Sequence, residues 1–124
     1  METEIELNGI KYVPVSEMEK RTTMAKSVKG KKYVIVRTFS AGVFAGYLGS
    51  RKGQEVVLLN VRRLWYWEGA NSLSQMAVEG TSKPDKCKFP VEMPRVELLQ
   101  AIEIIDVTEM ARRNIAAVPV WTKN

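Results

Sequence analysis

The chain has 124 residues, a net charge of +5, 45% apolar residues, a single cysteine and no histidine. That length predicts one domain, 1–124, with a buried core. The missing histidine and the lone Cys87 exclude histidine-based catalytic triads, cysteine-pair redox sites and cysteine-rich zinc sites, so we expect a binding protein with no cofactor and no metal rather than an enzyme.

The first 32 residues predict a hairpin, a short helix and a basic loop. Two alternating runs flank Asn8-Gly9, a strong hairpin signal, and Ser16 with a glutamate three residues later predicts a helix over about 16–26. Between Lys20 and Lys32 there are six basic residues and no acidic one. This stretch indicates either an anionic partner or a solvated loop. The acidic N-terminus lacks the basic and apolar parts of a signal peptide, and no apolar run is long enough for a membrane span, so we expect a cytoplasmic protein.

The middle of the chain is rich in β-branched and aromatic residues and predicts strands over 33–39, 43–48 and 55–67. A turn at 51–53 should pair the last two strands antiparallel. Glycines at positions 42, 46 and 49 indicate a bulge or a close approach by a ligand or another backbone.

The C-terminal half predicts two short helices. Asn71 or Ser72 can cap a helix over about 72–79, and Thr108 can cap another over about 109–117. Residues 81–94 are loop-like because they contain three prolines, and 95–105 fits either strand or helix, with its β-branched end favouring strand. We therefore predict an α+β domain with an antiparallel sheet and two or three short helices, in which 33–121 form the core.

Candidate binding residues follow from strand alternation. In a strand over 55–67, Arg63, Trp65 and Trp67 share one face, while Arg62 lies on the other. An arginine beside two tryptophans can contact phosphate and stack on a base. The alternative is that one tryptophan lies in the core and the other at a subunit interface.

Two further groups carry the same chemistry. Arg37, Phe39 and the small Ser40-Ala41-Gly42 turn can form an anion-binding nest, or an ordinary kinked connection. Arg112 and Arg113 lie on the last predicted helix and can reach a neighbouring ligand or remain solvated. The candidate ligand-binding residues are Arg37, Phe39, Ser40, Ala41, Gly42, Phe44, Tyr47, Arg62, Arg63, Trp65, Trp67, Asn71, Arg112 and Arg113.

Five segments together resemble a known family. They are RTFSAGVFAGYL (37–48), VLLNVRRLWYWEGANSLSQMA (57–77), SKPDKCKFPVE (82–92), AIEIIDVTEMAR (101–112) and VPVW (118–121). From about Tyr33 to Trp121 the chain resembles the phage anti-Thoeris signal sponges of the first type described. The resemblance implies a non-catalytic phage protein that acts in the cytoplasm of the infected bacterial host.

The resemblance also implies a ligand and an assembly. Such sponges bind glycocyclic ADP-ribose, the signal that a TIR-domain protein makes from NAD, and hold it intact so that Thoeris immunity stays off. They join an antiparallel sheet to helices and self-associate, as dimers or hexamers, with pockets at the protomer boundary. Some also bind cyclic trinucleotides at a separate site.

Three other functions stay open on the residues alone. A small basic module for single-stranded nucleic acid fits the charge and the aromatic strands. A nucleotide-modifying enzyme would have to use carboxylates such as Glu55 or Glu68. A phage structural or assembly protein would need no ligand.

Overall fold

A computed structural model describes residues 5–7, 10–12 and 23–122, and the predicted α+β fold with an antiparallel sheet is confirmed. Strands β1 (Ile5–Leu7) and β2 (Ile10–Tyr12) pair as a hairpin around the predicted Asn8-Gly9 turn, which lies outside the described residues. The main sheet is antiparallel and consists of β3 (Tyr33–Thr38), β4 (Val43–Lys52), β5 (Glu55–Arg63), β6 (Met93–Leu98) and β7 (Ala101–Asp106), in the spatial order β6-β5-β4-β3-β7.

The two C-terminal helices form where their caps predict them. Helix α1 (Leu73–Glu79) begins after Ser72, whose hydroxyl accepts the amide N–H of Gln75, and Gly80 ends it with φ of 77°. Helix α2 (Glu109–Ala117) begins after Thr108, whose hydroxyl accepts the amide N–H of Ala111. Both predictions are confirmed because each depends on a local hydrogen bond that its own sequence supplies. Neither α1 nor α2 is long and apolar enough to cross a membrane.

Three strand and loop predictions need correction. Residues 95–105 are strand, as favoured, but they belong to two strands, because a tight turn at residues 99–100 separates β6 from β7. Strand β4 extends to Lys52, so the hairpin turns at Gly53-Gln54 rather than at 51–53. Pro94 lies inside β6, where a proline is tolerated because β6 is an edge strand and needs no ladder hydrogen bond on its outer side.

The predicted helix over 16–26 falls mostly outside the described residues. Its described part, residues 23–26, is not helical. Met24 forms a bridge with Thr108, and the Ala25 N–H donates to the carbonyl of Val107 at 2.9 Å. This segment is therefore fixed along the start of α2 by backbone hydrogen bonds.

The sheet curls into a partly closed barrel. In a flat sheet, β6 and β7 would lie about 19 Å apart, but the two residues between them span no more than about 11 Å. The amide N–H of Ala101 donates to the carbonyl of Gln54 at 3.0 Å, so the tip of the β4–β5 hairpin folds back onto the start of β7. Register shifts in the β4–β5 pairing accompany this bend, and one lies at Gly46, where an added Cβ would sit 2.8 Å from the Cβ of Val61.

The curl creates two buried layers. Among the described residues, the concave side is filled from the strands, by Val34, Val36, Phe44, Val56, Leu58, Val61, Leu98 and Ala101. The convex side packs against the helices and the 81–91 loop through a second cluster that includes Tyr33, Ile35, Ala45, Leu64, Met76, Phe89, Ala111 and Ile115. Alternation along β3 explains its continuous apolar run, since Val34 and Val36 face inward while Tyr33 and Ile35 face the helices.

A buried arginine joins the sheet to the last helix. Arg62, near the end of β5, is only 5% exposed and lies over the Phe89 ring at 5.5 Å. Its Nη1 donates to the carbonyls of Ile115 at 2.9 Å and Val118 at 2.8 Å, at the C-terminal end of α2. Its Nη2 donates to the carbonyl of Phe89 at 2.7 Å, and its Nε to that of Pro90 at 3.3 Å. One guanidinium therefore satisfies four carbonyls from two separate segments.

Replacing this guanidinium should strongly destabilise the fold. Arg62→Met keeps much of the volume but leaves buried carbonyls without donors, so we expect the free energy of unfolding to fall by about 3 kcal/mol or more. Arg95→Met is the matched control, because Arg95 makes only an exposed ion pair with Glu97 and its loss should cost less than about 1 kcal/mol. Urea unfolding of both variants measures the difference. Equal losses would contradict the structural role of Arg62.

Candidate functional site

The predicted binding residues do not form one site. They lie at the turn after β3, at the end of β5 and in the segment that follows it, and near the starts of α1 and α2. Tyr47 lies on the convex face, where its ring meets that of Tyr33 edge to face with centroids 5.1 Å apart. Phe44 is fully buried in the concave cluster and offers no surface to a ligand.

The turn after β3 uses its own hydrogen bonds internally. The hydroxyl of Thr38 accepts the amide N–H of Ala41 at 2.9 Å and donates to the carbonyl of Gly42 at 2.7 Å. The Ala41 amide is therefore engaged by the protein, which removes one donor from the predicted nest. Gly42 has φ of 101°, which favours glycine. Phe39 is 75% exposed, and Ser40 is exposed beside it.

The two adjacent arginines of β5 have different environments. Arg62 is the buried structural residue described above, so it is not available to a ligand in this protomer. Arg63 points to the opposite, concave side, where its guanidinium lies 4.7 Å from the centre of the Phe44 ring. Its Nε is buried and has no hydrogen-bond partner among the described residues. Arg63 is therefore a partly desolvated cation without a compensating anion in that part of the chain.

The predicted shared face of Arg63, Trp65 and Trp67 is wrong. Strand β5 ends at Arg63, so strand alternation stops there. Trp65 is 62% exposed, whereas Trp67 is half-buried and packs against the convex cluster, on the side opposite Arg63. The alternative prediction, that one of the two tryptophans packs in the core, fits Trp67.

The segment after β5 lines an aromatic cleft. Tyr66 pairs with Lys88 through two backbone hydrogen bonds of 3.3 and 2.8 Å, and the Trp121 N–H donates to the carbonyl of Phe89 at 3.0 Å. These bonds hold three distant segments side by side. The resulting cleft has a volume of about 390 Å³ and is lined by Tyr66, Glu68, Asp85, Lys86, Cys87, Lys88 and Trp121.

A lysine lies between two rings in the aromatic cleft. The Nζ of Lys88 is 5.5 Å from the centre of the Tyr66 ring and 5.6 Å from that of Trp121. Both residues are more than two-fifths exposed, so solvent reaches both side chains. The cation–π contacts hold the ammonium at the position where it can meet an anionic group.

The acidic side of the cleft is ordered by hydrogen bonds. The Tyr66 hydroxyl donates to a carboxylate oxygen of Glu68 at 3.0 Å, and this bond raises the pKa of Tyr66. The carbonyl of Glu68 accepts from the hydroxyl of Thr81 and from the Cys87 thiol. The thiol is buried and within hydrogen-bond distance of the Lys83 carbonyl as well. The cleft thus combines two lysines, two carboxylates and two aromatic rings, of which Tyr66, Glu68 and Lys88 are linked by the contacts described above.

Arg112 and Arg113 lie on α2 and are both paired. Arg112 donates from Nε and Nη2 to the two carboxylate oxygens of Glu109 at 2.9 and 2.8 Å, and Arg113 donates from Nε to the same carboxylate at 2.7 Å. Asn71 stays at the start of α1, where its N–H donates to the side chain of Gln75. Arg37 pairs with Glu103 at 3.1 Å. None of these four residues lines the aromatic cleft.

Sequence reasoning missed the residues that line the cleft. The candidate residues predicted from the sequence include none of Tyr66, Lys88 and Trp121. The available signal was the spacing of basic and acidic residues in the 85–88 loop, which is informative only when that loop is known to lie beside Tyr66 and Trp121. Of the residues that the structure describes, no group of cysteine and carboxylate side chains could hold a metal ion.

The ion pairs of Glu109 with Arg112 and Arg113 on α2 predict how the stability of the protein depends on pH. Hydrogen bonds from Arg112 and then Arg113 lower the pKa of Glu109 from 4.5 to about 2. A carboxyl group with a lowered pKa in the folded state stabilises the protein above its unfolded pKa and loses that contribution as the pH falls towards 2. We expect Glu109→Gln to be less stable than the wild type at pH 7 and equally stable near pH 2.

Urea unfolding of the two proteins across this range tests the prediction. The stability difference should shrink between about pH 5 and pH 2. A difference that stays constant through that interval would show that the ion pairs of Glu109 do not contribute.

Comparison with known proteins gives a family. No curated protein and no solved structure matches the chain. The profile of one protein family, described as a domain of unknown function (DUF6948), matches residues 31–115. The match contains the main sheet, α1 and every residue of the aromatic cleft except Trp121. Because it covers more than half of the sequence, the chain belongs to the DUF6948 family.

Proposed function

We propose that this protein binds a nucleotide-like signal in the aromatic cleft and holds it without chemical change. The observation that carries the proposal is Lys88, whose ammonium lies between the exposed rings of Tyr66 and Trp121. A flat base stacks on such rings, and a phosphate oxygen pairs with such a cation. The cleft volume of about 390 Å³ falls within the range of small-molecule sites.

The proposed ligand is glycocyclic ADP-ribose, following the resemblance of residues 33–121 to the anti-Thoeris sponges. Its diphosphate suits Lys86 and Lys88, its adenine suits Trp121 or Tyr66, and its riboses suit the carboxylates of Glu68 and Asp85 as hydrogen-bond acceptors. In this proposal the protein is phage-encoded, acts in the cytoplasm of the infected bacterium and blocks Thoeris immunity. Binding of cyclic trinucleotides at another site belongs to the same proposal.

The two carboxylates favour this ligand over single-stranded nucleic acid. A nucleic-acid groove tracks a continuous phosphate backbone with positive charge, and Glu68 and Asp85 would repel it. A compact ligand with hydroxyl groups gains hydrogen bonds from the same carboxylates. The salt dependence of binding distinguishes the two, because counterion release grows with the number of phosphates contacted.

Self-association is part of the proposal because the cleft is open. A sponge must bind near nanomolar, which is about −12 kcal/mol. Charge-assisted hydrogen bonds contribute about 1.5–3 kcal/mol each and reach this total only in a site that excludes water. A second protomer over the exposed Trp65 and Trp121 would enclose the cleft, in a dimer or a hexamer.

Titration calorimetry with glycocyclic ADP-ribose, followed by mass analysis of the released ligand, tests the function. We expect tight binding and an unaltered mass. Absence of binding would contradict the sponge, and a changed mass would indicate a nucleotide-modifying enzyme.

Two cleft variants test the site itself. Lys88→Gln removes the cation and Trp121→Ala removes a stacking face, so each should weaken binding at least about tenfold while the fold persists. Lys52→Gln is the matched control, since Lys52 is exposed and lies outside both the cleft and the basic stretch at 20–32. If both cleft variants bind like the control, the ligand site lies elsewhere.

A further inference from the structure

A second site lies where the curled sheet fails to close. A groove of about 490 Å³ separates the tip of the β4–β5 hairpin, at Arg51, Gly53 and Gln54, from residues 101–104 of β7. Four consecutive strand residues line it, and their side chains alternate between the two faces of the sheet. The groove therefore follows the outer edge of β7 rather than either face.

The edge of β7 is open along this groove. Within the described residues, β7 pairs with β3 only, and its first amide donates to the Gln54 carbonyl. The register passes from the Arg37–Glu103 pair to the Thr38–Ala101 pair, which leaves Ile102 as the extra residue of a bulge. Ile102 is 45% exposed at this point. The bulge places an apolar side chain in the groove next to unpaired backbone.

The two edges of the sheet differ in their protection. Strand β6 carries Pro94 and Arg95, and proline and charged side chains are the usual means of preventing strand addition. Strand β7 has the sequence AIEIID, with three isoleucines and neither proline nor lysine, and its two acidic side chains are already engaged, Glu103 with Arg37 and Asp106 with Lys32. An edge of this composition favours pairing with another extended segment.

The charge of the groove indicates the chemistry of that segment. Glu103 is already paired with Arg37. Arg51 donates from Nε to the carbonyl of Gly53 at 2.9 Å, and its two terminal nitrogens bond to no described residue. The uncompensated charge at the groove is therefore positive. The exposed Phe39 ring borders an adjoining hollow that shares Gln54 and Ile102 with the groove.

We propose that the outer edge of β7 binds an extended acidic peptide as an additional strand. Backbone hydrogen bonds to β7 supply affinity, an acidic side chain pairs with Arg51, and apolar side chains contact Ile102 and Phe39. The four lining residues of β7 span about 13 Å, which suits a peptide of four to six residues. This inference does not depend on the nucleotide function of the aromatic cleft.

A peptide array on the full-length protein tests the proposal. The probes are capped hexapeptides with Val, Ile, Leu or Phe at positions 1, 3 and 5 and Glu, Asp or Thr between them, beside a matching set in which Lys replaces the acids. We expect binding to acidic members and at least about tenfold weaker binding to their lysine counterparts. Binding to no acidic member would overturn the proposal.

Variants locate the binding. Arg51→Gln should weaken the best peptide, and Ile102→Lys should abolish its binding by placing a charge on the exposed edge. Val91→Lys is the control, because Val91 is an exposed valine outside the groove. The bound peptide should also slow hydrogen exchange of the outward-facing amides of residues 102–104. Binding that survives both groove variants would place the peptide elsewhere.

One further result would overturn the proposal that a peptide, rather than a second copy of this chain, covers the edge of β7. If the wild type is a dimer that Ile102→Lys converts to a monomer, and the peptide does not compete with dimer formation, the edge is covered by a second copy. Sedimentation velocity with and without the peptide measures this.

Discussion

The buried guanidinium of Arg62 is the interaction on which the arrangement of this molecule depends. It is anchored in β5 and donates to the end of α2 and to the loop at Phe89 and Pro90. Burial lowers its pKa, but an arginine remains charged in proteins, so the four carbonyls accept from a cation. The Phe89 carbonyl accepts hydrogen bonds from Arg62 and from the N–H of Trp121. Lys88 is the residue before Phe89. The hydrogen bonds of the buried Arg62 therefore help to position Lys88 and Trp121 of the aromatic cleft.

The bend of the β4–β5 hairpin is the second constraint, and it explains why an open edge exists at all. Gly46 allows β4 to approach Val61 closely, which lets the distal half of the hairpin fold across the concave cluster. The hairpin tip then reaches β7 through the hydrogen bond to the Gln54 carbonyl, and among the described strands the remaining outer edge of β7 has no partner. The same curvature that buries the concave cluster, which in the described part of the chain consists of strand residues, thus produces the groove. A flatter sheet would need another element over its apolar face.

Patterns within a few residues of sequence predicted most of the fold, whereas the candidate site depends on contacts between residues far apart in the sequence. The caps at Ser72 and Thr108 and the strands from Tyr33 onward follow from hydrogen bonds and alternation within a few residues. The end of β5 at Arg63 was not predictable in this way, because the contacts made there are non-local: Arg62 donates to carbonyls more than 25 residues away. The strand pattern alone would continue through Trp67. Strand alternation therefore grouped Arg63 with Trp65 and Trp67, although the chain leaves the sheet between them.

The junction at the end of β5 also carries the one buried side-chain atom without a partner in the described chain, the Nε of Arg63. Stacking on Phe44 compensates only part of the cost of removing a guanidinium from water, since a charged donor without an acceptor is destabilising. Natural sequences depart from local rules mainly where function requires it. Arg63 is two residues before the exposed Trp65 and three before Tyr66 in the sequence, although its side chain faces the concave side and does not line the aromatic cleft. The incompletely paired guanidinium of Arg63 and the exposed Trp65 and Tyr66 nevertheless belong to one stretch of backbone, and the hydrogen bonds of Arg62 tie the start of that stretch to α2 and to the loop at Phe89 and Pro90.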